Sequence, residues 1–187
     1  MIKLTTKLLG TLLLQPKVFG DERGFFMETW NAQRYREFGL EENFVQDNLS
    51  RSRHGVLRGL HFQQPNPQGK LVSVLEGEVF DVAVDIRRGS PTFGQWEGYT
   101  LSAQNKLQFY IPPGFAHGFC VTSEFALFAY KCTEFYQPAN EGSIAWNDPD
   151  LNISWPIDQP ELSAKDAKGV CLADYPPDKL PRFDSTS

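Results

Sequence analysis

Short runs in which apolar and polar residues alternate dominate the chain and predict strands. The clearest run, residues 70–86, predicts two strands joined near Glu76 and Gly77. In the second of these strands one face takes Phe80, Val82, Val84 and Ile86, and the other takes Asp81 and Asp85. Further strands are predicted over residues 56–63, 98–102, 107–111, 118–122 and 125–135. Turns rich in Gly, Pro and Asn separate them, which predicts an all-β, antiparallel jelly-roll barrel with a few short helical segments.

Helical patterns are short. One helix is predicted over residues 32–38, with Asn31 as its N-cap and Gly39 as its stop.

The apolar run at residues 8–14 predicts a strand rather than a signal peptide, because Gln-Pro follows it where a cleavage site would need small residues. No run approaches the ~20 apolar residues of a membrane span, so no membrane association is predicted. We predict a single domain over residues 1–187, in which residues 148–187 form an irregular tail packed on the barrel, with one helical turn starting at Ser163.

Composition narrows the classes of function. The 187 residues are 41% hydrophobic and 13% aromatic, which supplies the core of one domain. A net charge of −5 without a long basic run excludes a protein that binds a nucleic-acid polymer, and at first sight it also disfavours an anionic ligand. Cys120, Cys132 and Cys171 form no C-x-x-C pair, so we interpret them as buried filler in a protein of the reducing cytoplasm.

Three histidines are candidates for chemistry. Residues 110–119, YIPPGFAHGF, contain the P-x-G-x-x-H motif that delivers a histidine, here His117, into a jelly-roll barrel of the cupin type. Metal-binding cupins also need an H-x-H pair, because alternate strand residues point the same way and can share one ion. His54 and His61 are seven residues apart, so no metal site is predicted.

Each candidate side chain has a structural and a functional interpretation. A bulge at Gly59 would point the side chains of Arg58 and His61 into the same cavity. A regular strand would instead leave His61 as a core residue. Tyr130 lies on the apolar face of its strand and should point inward, for packing or for chemistry. Asp166 lies three residues after Ser163, the spacing of a capping box at a helix start.

Several motifs, taken in order, carry a family resemblance: DERGFFMETW, FVQDNLSRS, GVLRGLHFQ, QGKLV, IPPGFAHGF, YKCTEFY, EGSIAWNDPDLNI and LSAKD. From about Val18 to Gly169 the chain resembles the dTDP-4-dehydrorhamnose 3,5-epimerases, a family of metal-independent cupins. The resemblance implies a homodimer that needs no cofactor and acts on a dTDP-4-keto-6-deoxy sugar nucleotide, in dTDP-L-rhamnose biosynthesis. The charge balance does not oppose this, since a diphosphate needs only a few cations in one pocket.

The resemblance also implies residue roles. His61 would be the general base at carbons 3 and 5, with Asp166 orienting and charging its imidazole. Tyr130 would return a proton from the opposite face, and Lys70 would stabilise the enolate. Residues implied in binding the nucleotide and sugar are Arg23, Glu28, Gln46, Asp47, Asn48, Arg58, His117, Glu141 and Lys165, with Tyr136 shaping the pocket.

Two alternatives stay open at this point. Similar cupins epimerise one carbon only or isomerise the 4-keto sugar, and the motifs do not reveal which outcome this pocket selects. The presence of both His61 and Tyr130 favours double epimerisation. A sugar-binding cupin without catalysis is disfavoured, because the His, Asp, Tyr and Lys set is present together.

Overall fold

The computed structural model describes residues 1–183, and nearly all of its regular structure is antiparallel strand. The strands are β1 (Ile2–Leu4), β2 (Leu12–Gln15), β3 (Val18–Asp21), β4 (Gly24–Met27), β5 (Gln46–Arg53), β6 (Leu57–Gln63), β7 (Lys70–Glu76), β8 (Glu78–Asp85), β9 (Trp96–Ser102), β10 (Gln108–Ile111), β11 (Phe115–Val121), β12 (Phe125–Cys132) and β13 (Glu141–Ser143). One short helix, α1 (Ala32–Arg36), separates β4 from β5. The all-β class is therefore confirmed.

Two sheets make up the barrel. The first has the order β1-β2-β10-β7-β12-β5, and the second has the order β13-β6-β11-β8-β9. Strands β3 and β4 form a separate two-stranded hairpin. Within both sheets neighbouring strands are antiparallel, as in a jelly roll.

Apolar side chains fill the space between the sheets and also cover the outside of the second one. The inner cluster joins residues of both sheets, including Val72, Phe109 and Phe128 from the first and Val79 and Phe119 from the second. A second cluster packs the outward side chains of the second sheet against the chain after residue 148. Its tail members are Leu151, Leu172 and Leu180, with Ile153, Trp155 and Tyr175 at the edge. The tail therefore covers the outer face of the second sheet, which explains why β8 is buried on both faces. Asp81 and Asp85 lie on the opposite face of β8 and are also fully buried.

Helical segments differ from the prediction in length and number. Helix α1 has the predicted N-cap, since Asn31 Oδ1 accepts from Arg34 N at 3.1 Å, but it ends at Arg36. The tail has three 3-10 turns instead of one, at Asp166–Lys168, Leu172–Asp174 and Pro177–Lys179. The predicted turn at Ser163 is present, because Ala167 N donates to Ser163 O at 3.0 Å and Asp166 N donates to Ser163 Oγ at 3.1 Å, and it leads into the 3-10 turn at Asp166–Lys168.

Five strands were not predicted from the hydrophobic pattern: β1, β3, β4, β5 and β13. Strand β5 presents polar side chains inward at Gln46, Asn48 and Ser50, and it presents Leu49 outward, so its alternation does not have an apolar inner face. The hairpin β3–β4 exposes apolar side chains and belongs to neither sheet. Both segments carry family motifs, but neither has the pattern of a core strand.

Of the two interpretations of Gly59, a bulge or a regular strand, the structure has the bulge. In the pairing of β6 with β11, His61 lies opposite His117 and Arg58 lies opposite Phe119, so β6 has one extra residue between the two pairs. Gly59 has φ +129, and a Cβ there would lie 2.5 Å from Gly118 Cα. The two strands therefore touch through glycine backbone, and both Arg58 and His61 reach the same cavity.

We expect Gly59→Ala to lower the free energy of unfolding by about 2–4 kcal/mol, because the new methyl group meets backbone atoms that cannot move aside. Gly89→Ala is the control, since Gly89 also has a positive φ, +85, with open space around it. Urea unfolding of both variants separates the cost of the backbone conformation from that of the clash. Equal losses in the two variants would show that the close approach to β11 contributes nothing.

Candidate active site

A cavity of about 460 Å³ lies between the two sheets, and its walls come from different parts of the chain. The first sheet contributes Gln46, Asn48, Ser50, Lys70, Phe128, Tyr130 and Cys132. The second sheet contributes Arg58, His61, Phe62, Gln63, His117, Phe119 and Glu141. The remaining wall residues are Gln68, Tyr136, Ser163, Lys165 and Asp166, from loops and the tail. A size of this order suits a small-molecule ligand.

His61 and Asp166 form a hydrogen-bonded pair in this wall. His61 Nε2 lies 2.6 Å from Asp166 Oδ1. Burial of the Asp166 carboxyl raises its pKa, but hydrogen bonds from His61 and Ser163 outweigh burial and bring the pKa down to about 2. An ionised carboxylate only accepts hydrogen bonds, so the shared proton belongs to Nε2 and leaves the Nδ1 lone pair of neutral His61 free to act as a base.

The tail segment that carries Asp166 is fixed to the second sheet at both of its ends. Glu161 bridges to Val56 at the start of β6, and Val170 bridges to Ile144 next to β13. Gly59 N also donates to Asp166 Oδ1, at 3.3 Å. Irregular backbone in the tail thus holds a carboxylate beside a strand residue that is 105 positions away in the sequence.

Lys70 and Tyr130 face the cavity from the first sheet. Within residues 1–183 no carboxylate lies within ion-pair distance of Lys70, and burial lowers the pKa of its ammonium. Burial raises the pKa of the Tyr130 phenol, which keeps it protonated at neutral pH. One wall therefore offers a cation and a proton donor, and the facing wall offers a base.

His117 pairs with a second buried carboxylate, behind the cavity wall. Its Nε2 lies 2.9 Å and 3.1 Å from the two oxygens of Asp81, and its ring stacks on Phe128. Burial lowers the pKa of His117, although the nearby Asp81 carboxylate acts to raise it. With Nε2 directed at Asp81, Nδ1 is the ring nitrogen left for a ligand.

A chain of polar contacts closes the rim. Tyr136 donates its hydroxyl to Glu141 at 2.7 Å, and Lys165 forms an ion pair with the same carboxylate oxygen at 2.5 Å. Burial acts to raise the pKa of Glu141, but these two partners lower it overall. Lys165 is therefore held at the edge of the cavity, next to Asp166.

Comparisons with known proteins agree on one family. The sequence model of the dTDP-4-dehydrorhamnose 3,5-epimerases matches residues 5–174. A dTDP-4-dehydrorhamnose 3,5-epimerase of Salmonella typhimurium is 61% identical over 175 residues, which cover 92% of this chain and 96% of that protein. The enzyme of the same name from Pseudomonas aeruginosa is 59% identical, with 87% and 91% covered. The chain belongs to the dTDP-4-dehydrorhamnose 3,5-epimerase family.

A solved structure of a relative has the same fold. The dTDP-6-deoxy-D-glucose-3,5-epimerase of Legionella pneumophila, solved in complex with dTDP-4-keto-L-rhamnose, superposes with a TM-score of 0.96 at 56% identity. The match covers 98% of this chain and 99% of that one. The cupin-type fold and the epimerase class follow for this member of the family.

Most of the side chains that the family resemblance singles out line the cavity, and three do not. Arg23 is exposed in the β3–β4 hairpin and pairs with Asp21. Glu28 pairs with Arg34 beside helix α1, and Asp47 points outward from β5 to pair with Lys131. A role in ligand binding stays a prediction for these three.

Other wall residues were not predicted as site residues. Ser50 follows Gln46 and Asn48 at the two-residue spacing of β5, so the alternation could have found it once β5 was recognised. Gln63 connects β6 to the loop that carries Tyr136, because its amide donates to Phe135 O and accepts from Gln137 N. Cys132, predicted as filler, is buried and also lines the cavity, whereas Cys171 is only half-buried.

The described part of the chain has neither a metal-ligand cluster nor a membrane-spanning helix. Among residues 1–183, His, Cys, Asp and Glu side chains do not gather in groups of three or more that could hold a metal ion. The same residues include no helix with the length and apolar character needed to cross a membrane.

We expect Asp166→Asn to lower the free energy of unfolding by about 2 kcal/mol between pH 5 and 7. The folded-state pKa of Asp166, about 2, lies below its usual 3.8, so the carboxylate stabilises the fold fully above pH 4 and loses this effect as the pH falls from 4 to 2. Urea unfolding of both proteins from pH 3 to 7 measures the gap, with the exposed Asp158→Asn as control. A gap that stays constant down to pH 3 would contradict the assignment.

Proposed function

We propose that the chain epimerises dTDP-4-dehydro-6-deoxy-D-glucose at carbons 3 and 5 to give dTDP-4-dehydro-L-rhamnose, in the pathway to dTDP-L-rhamnose. His61 is the general base, Asp166 holds its tautomer, Tyr130 is the general acid and Lys70 stabilises the enolate. The family supplies the reaction, and the arrangement of these four side chains supports the roles.

The observation that carries the proposal is the placement of His61 and Tyr130 on opposite walls. His61 lies on β6 of the second sheet, and Tyr130 lies on β12 of the first. Inversion of a carbon requires that a proton leave one face of the sugar ring and that another arrive on the other face. A base and an acid on facing walls meet this requirement, and a single residue would not.

The chemistry needs help at the ketone oxygen as well. A proton next to a ketone is weakly acidic, and its removal leaves an enolate whose charge needs a positioned cation or donor. The Lys70 ammonium has no ion-pair partner within the described residues, so it is available for this charge. His61 releases the abstracted proton to solvent, and Tyr130 regains its proton from solvent, so the protein returns to its starting state.

Cations near the rim suit the nucleotide diphosphate. Arg58 lines the cavity and is held by Ser52 Oγ at 3.1 Å, and Lys165 stands at the edge beside Glu141. Arginine suits bidentate contact with phosphate, and lysine acts as a point charge. Gln46, Asn48 and His117 add polar contacts, and the rings of Phe119 and Tyr136 offer surfaces for stacking.

We expect His61→Ala and Tyr130→Phe to fail in different ways. Loss of the base should abolish solvent deuterium exchange at both carbons, whereas loss of the acid should permit exchange but prevent inversion, at least at carbon 5. Each loss should lower the rate of product formation by about 10²–10⁴-fold. Proton NMR of the substrate in deuterium oxide follows exchange and product together.

The same spectra of the wild type decide between the candidate reactions. Exchange at two carbons supports double epimerisation, exchange at one carbon indicates a single-carbon epimerase or an isomerase, and no exchange indicates a binding protein. Full epimerase activity in His61→Ala would rule out the mechanism, and complete product formation by Tyr130→Phe would remove Tyr130 from the acid role.

We further propose that the protein is a homodimer in which a second copy covers the β3–β4 hairpin. Phe19, Phe25 and Phe26 are 52%, 59% and 70% exposed there, a concentration of apolar surface that monomers rarely leave in water. Arg23, a predicted ligand of the nucleotide, lies at the turn of the same hairpin. The three free cysteines support a reducing compartment, so we place the dimer in the cytoplasm.

Light scattering at micromolar concentration should give the mass of two chains. The double variant Phe25→Ser/Phe26→Ser should give one chain, because it removes the two most exposed rings of the patch. Phe93→Ser is the control, since Phe93 is 42% exposed in the connection between β8 and β9, and it should remain a dimer. A wild-type protein of single-chain mass would contradict the proposal.

A further inference from the structure

Ser163 contacts the site carboxylate in two ways. Its Oγ accepts a hydrogen bond from Asp166 N at 3.1 Å and donates one to Asp166 Oδ2 at 2.6 Å. The other carboxylate oxygen, Oδ1, accepts from His61 and from Gly59 N. Oδ2 is therefore bonded to the tail, and Oδ1 is bonded to residues of β6.

This division matters because an aspartate carboxylate turns easily about its last torsion. That torsion, between an sp³ and an sp² carbon, has a broad and roughly two-fold profile, so backbone geometry alone does not fix the plane of the carboxylate. The backbone here is a single 3-10 turn in an irregular tail. A hydrogen bond to Oδ2 fixes the plane in which Oδ1 meets the imidazole.

The direction of the Ser163 hydroxyl is also determined. A serine hydroxyl has one proton, and the oxygen already accepts from the Asp166 amide. In a capping box, the side chain at the third helical position would reach back to the cap residue's own N–H. Here the carboxylate instead receives the hydroxyl proton, so the contact acts on Asp166 rather than only on the helix end.

We propose that Ser163 is a positioning residue for proton abstraction, which acts by holding the Asp166 carboxylate in the plane that directs the lone pair of His61 into the cavity. The inference rests on the proposed function of His61 and Asp166. It adds a third member, Ser163, to that pair. Ser163 does not exchange a proton with the substrate in this scheme.

The test compares Ser163→Ala with Ser163→Thr. We expect Ser163→Ala to lower kcat, and the rate of deuterium exchange at both carbons, by about 10–100-fold, since a small misplacement of a reacting group has an effect of this size. KM should change less than about twofold, because ground-state binding does not use the hydroxyl. Ser163→Thr keeps the hydroxyl and should recover kcat to within about threefold of the wild type.

Ser90→Ala is a matched control elsewhere in the fold. Ser90 Oγ donates to Asp85 Oδ2 at the same distance of 2.6 Å. Asp85 is fully buried and forms an ion pair with Arg87. Neither residue lines the cavity. Ser90→Ala should therefore lower the thermal unfolding midpoint and leave kcat unchanged, whereas Ser163→Ala should lower kcat even where it is fully folded.

A second measurement needs no substrate. The proton that His61 Nε2 shares with Asp166 should give a downfield proton resonance in the free protein, assigned by its absence in His61→Gln. We expect it to survive in Ser163→Thr and Ser90→Ala and to be lost to solvent exchange in Ser163→Ala. This readout reports the geometry of the pair even if a variant binds substrate poorly.

The outcomes separate the inference from the proposed function. A wild-type protein without deuterium exchange would overturn the proposed function itself. An active wild type with an equally active Ser163→Ala, or with an unchanged downfield resonance in that variant, would overturn only the role of Ser163. A large rise in KM at constant kcat would instead make Ser163 a ligand of the substrate and would also overturn positioning.

Discussion

The close contact of Gly59 with β11 is the constraint on which the site depends. A Cβ at Gly59 would lie 2.7 Å from His117 O, and one at Gly118 would lie 2.7 Å from Arg58 O, so the two strands can approach only as glycines. The bulge at this contact inserts one residue into β6 and so brings Arg58 and His61 to one face. It also turns the Gly59 amide toward Asp166, which links the tail to the same point.

The two sheets contribute different chemical groups to the cavity. The second sheet holds His61, the proposed base, and the irregular tail supplies the Asp166 carboxylate that is hydrogen-bonded to it. The first sheet holds Lys70 and Tyr130, neither of which is part of the His61 and Asp166 pair. Because the sheets face each other across the cavity, a pyranose ring bound between them would present one face to each. A barrel with opposed walls is therefore suited to inversion in a way that a single sheet is not.

The sequence allowed prediction of the parts in which local pattern and packing agree. The consecutive strands β7 and β8 and the capped start of α1 follow from alternation and capping. The glycine inside β6 indicated the bulge only as one of two alternatives. Strand β5 was not predictable from hydrophobicity, because its inward side chains are polar for the sake of the cavity. The meeting of His61 with Asp166 could be named only from the family resemblance, since nothing local relates positions 105 residues apart.

Charge shows why the whole-chain balance says little about the ligand. The chain carries a net charge of −5, yet Arg58, Lys70 and Lys165 all line one cavity. Of its carboxylates, Asp166 is engaged by His61 and Glu141 is engaged by Lys165. The cavity therefore holds three cationic side chains against two carboxylates, both of which already have partners, so its charge balance favours an anion. A diphosphate senses this local field, which extends over a Debye length of about 8 Å, and not the charge of the distant surface.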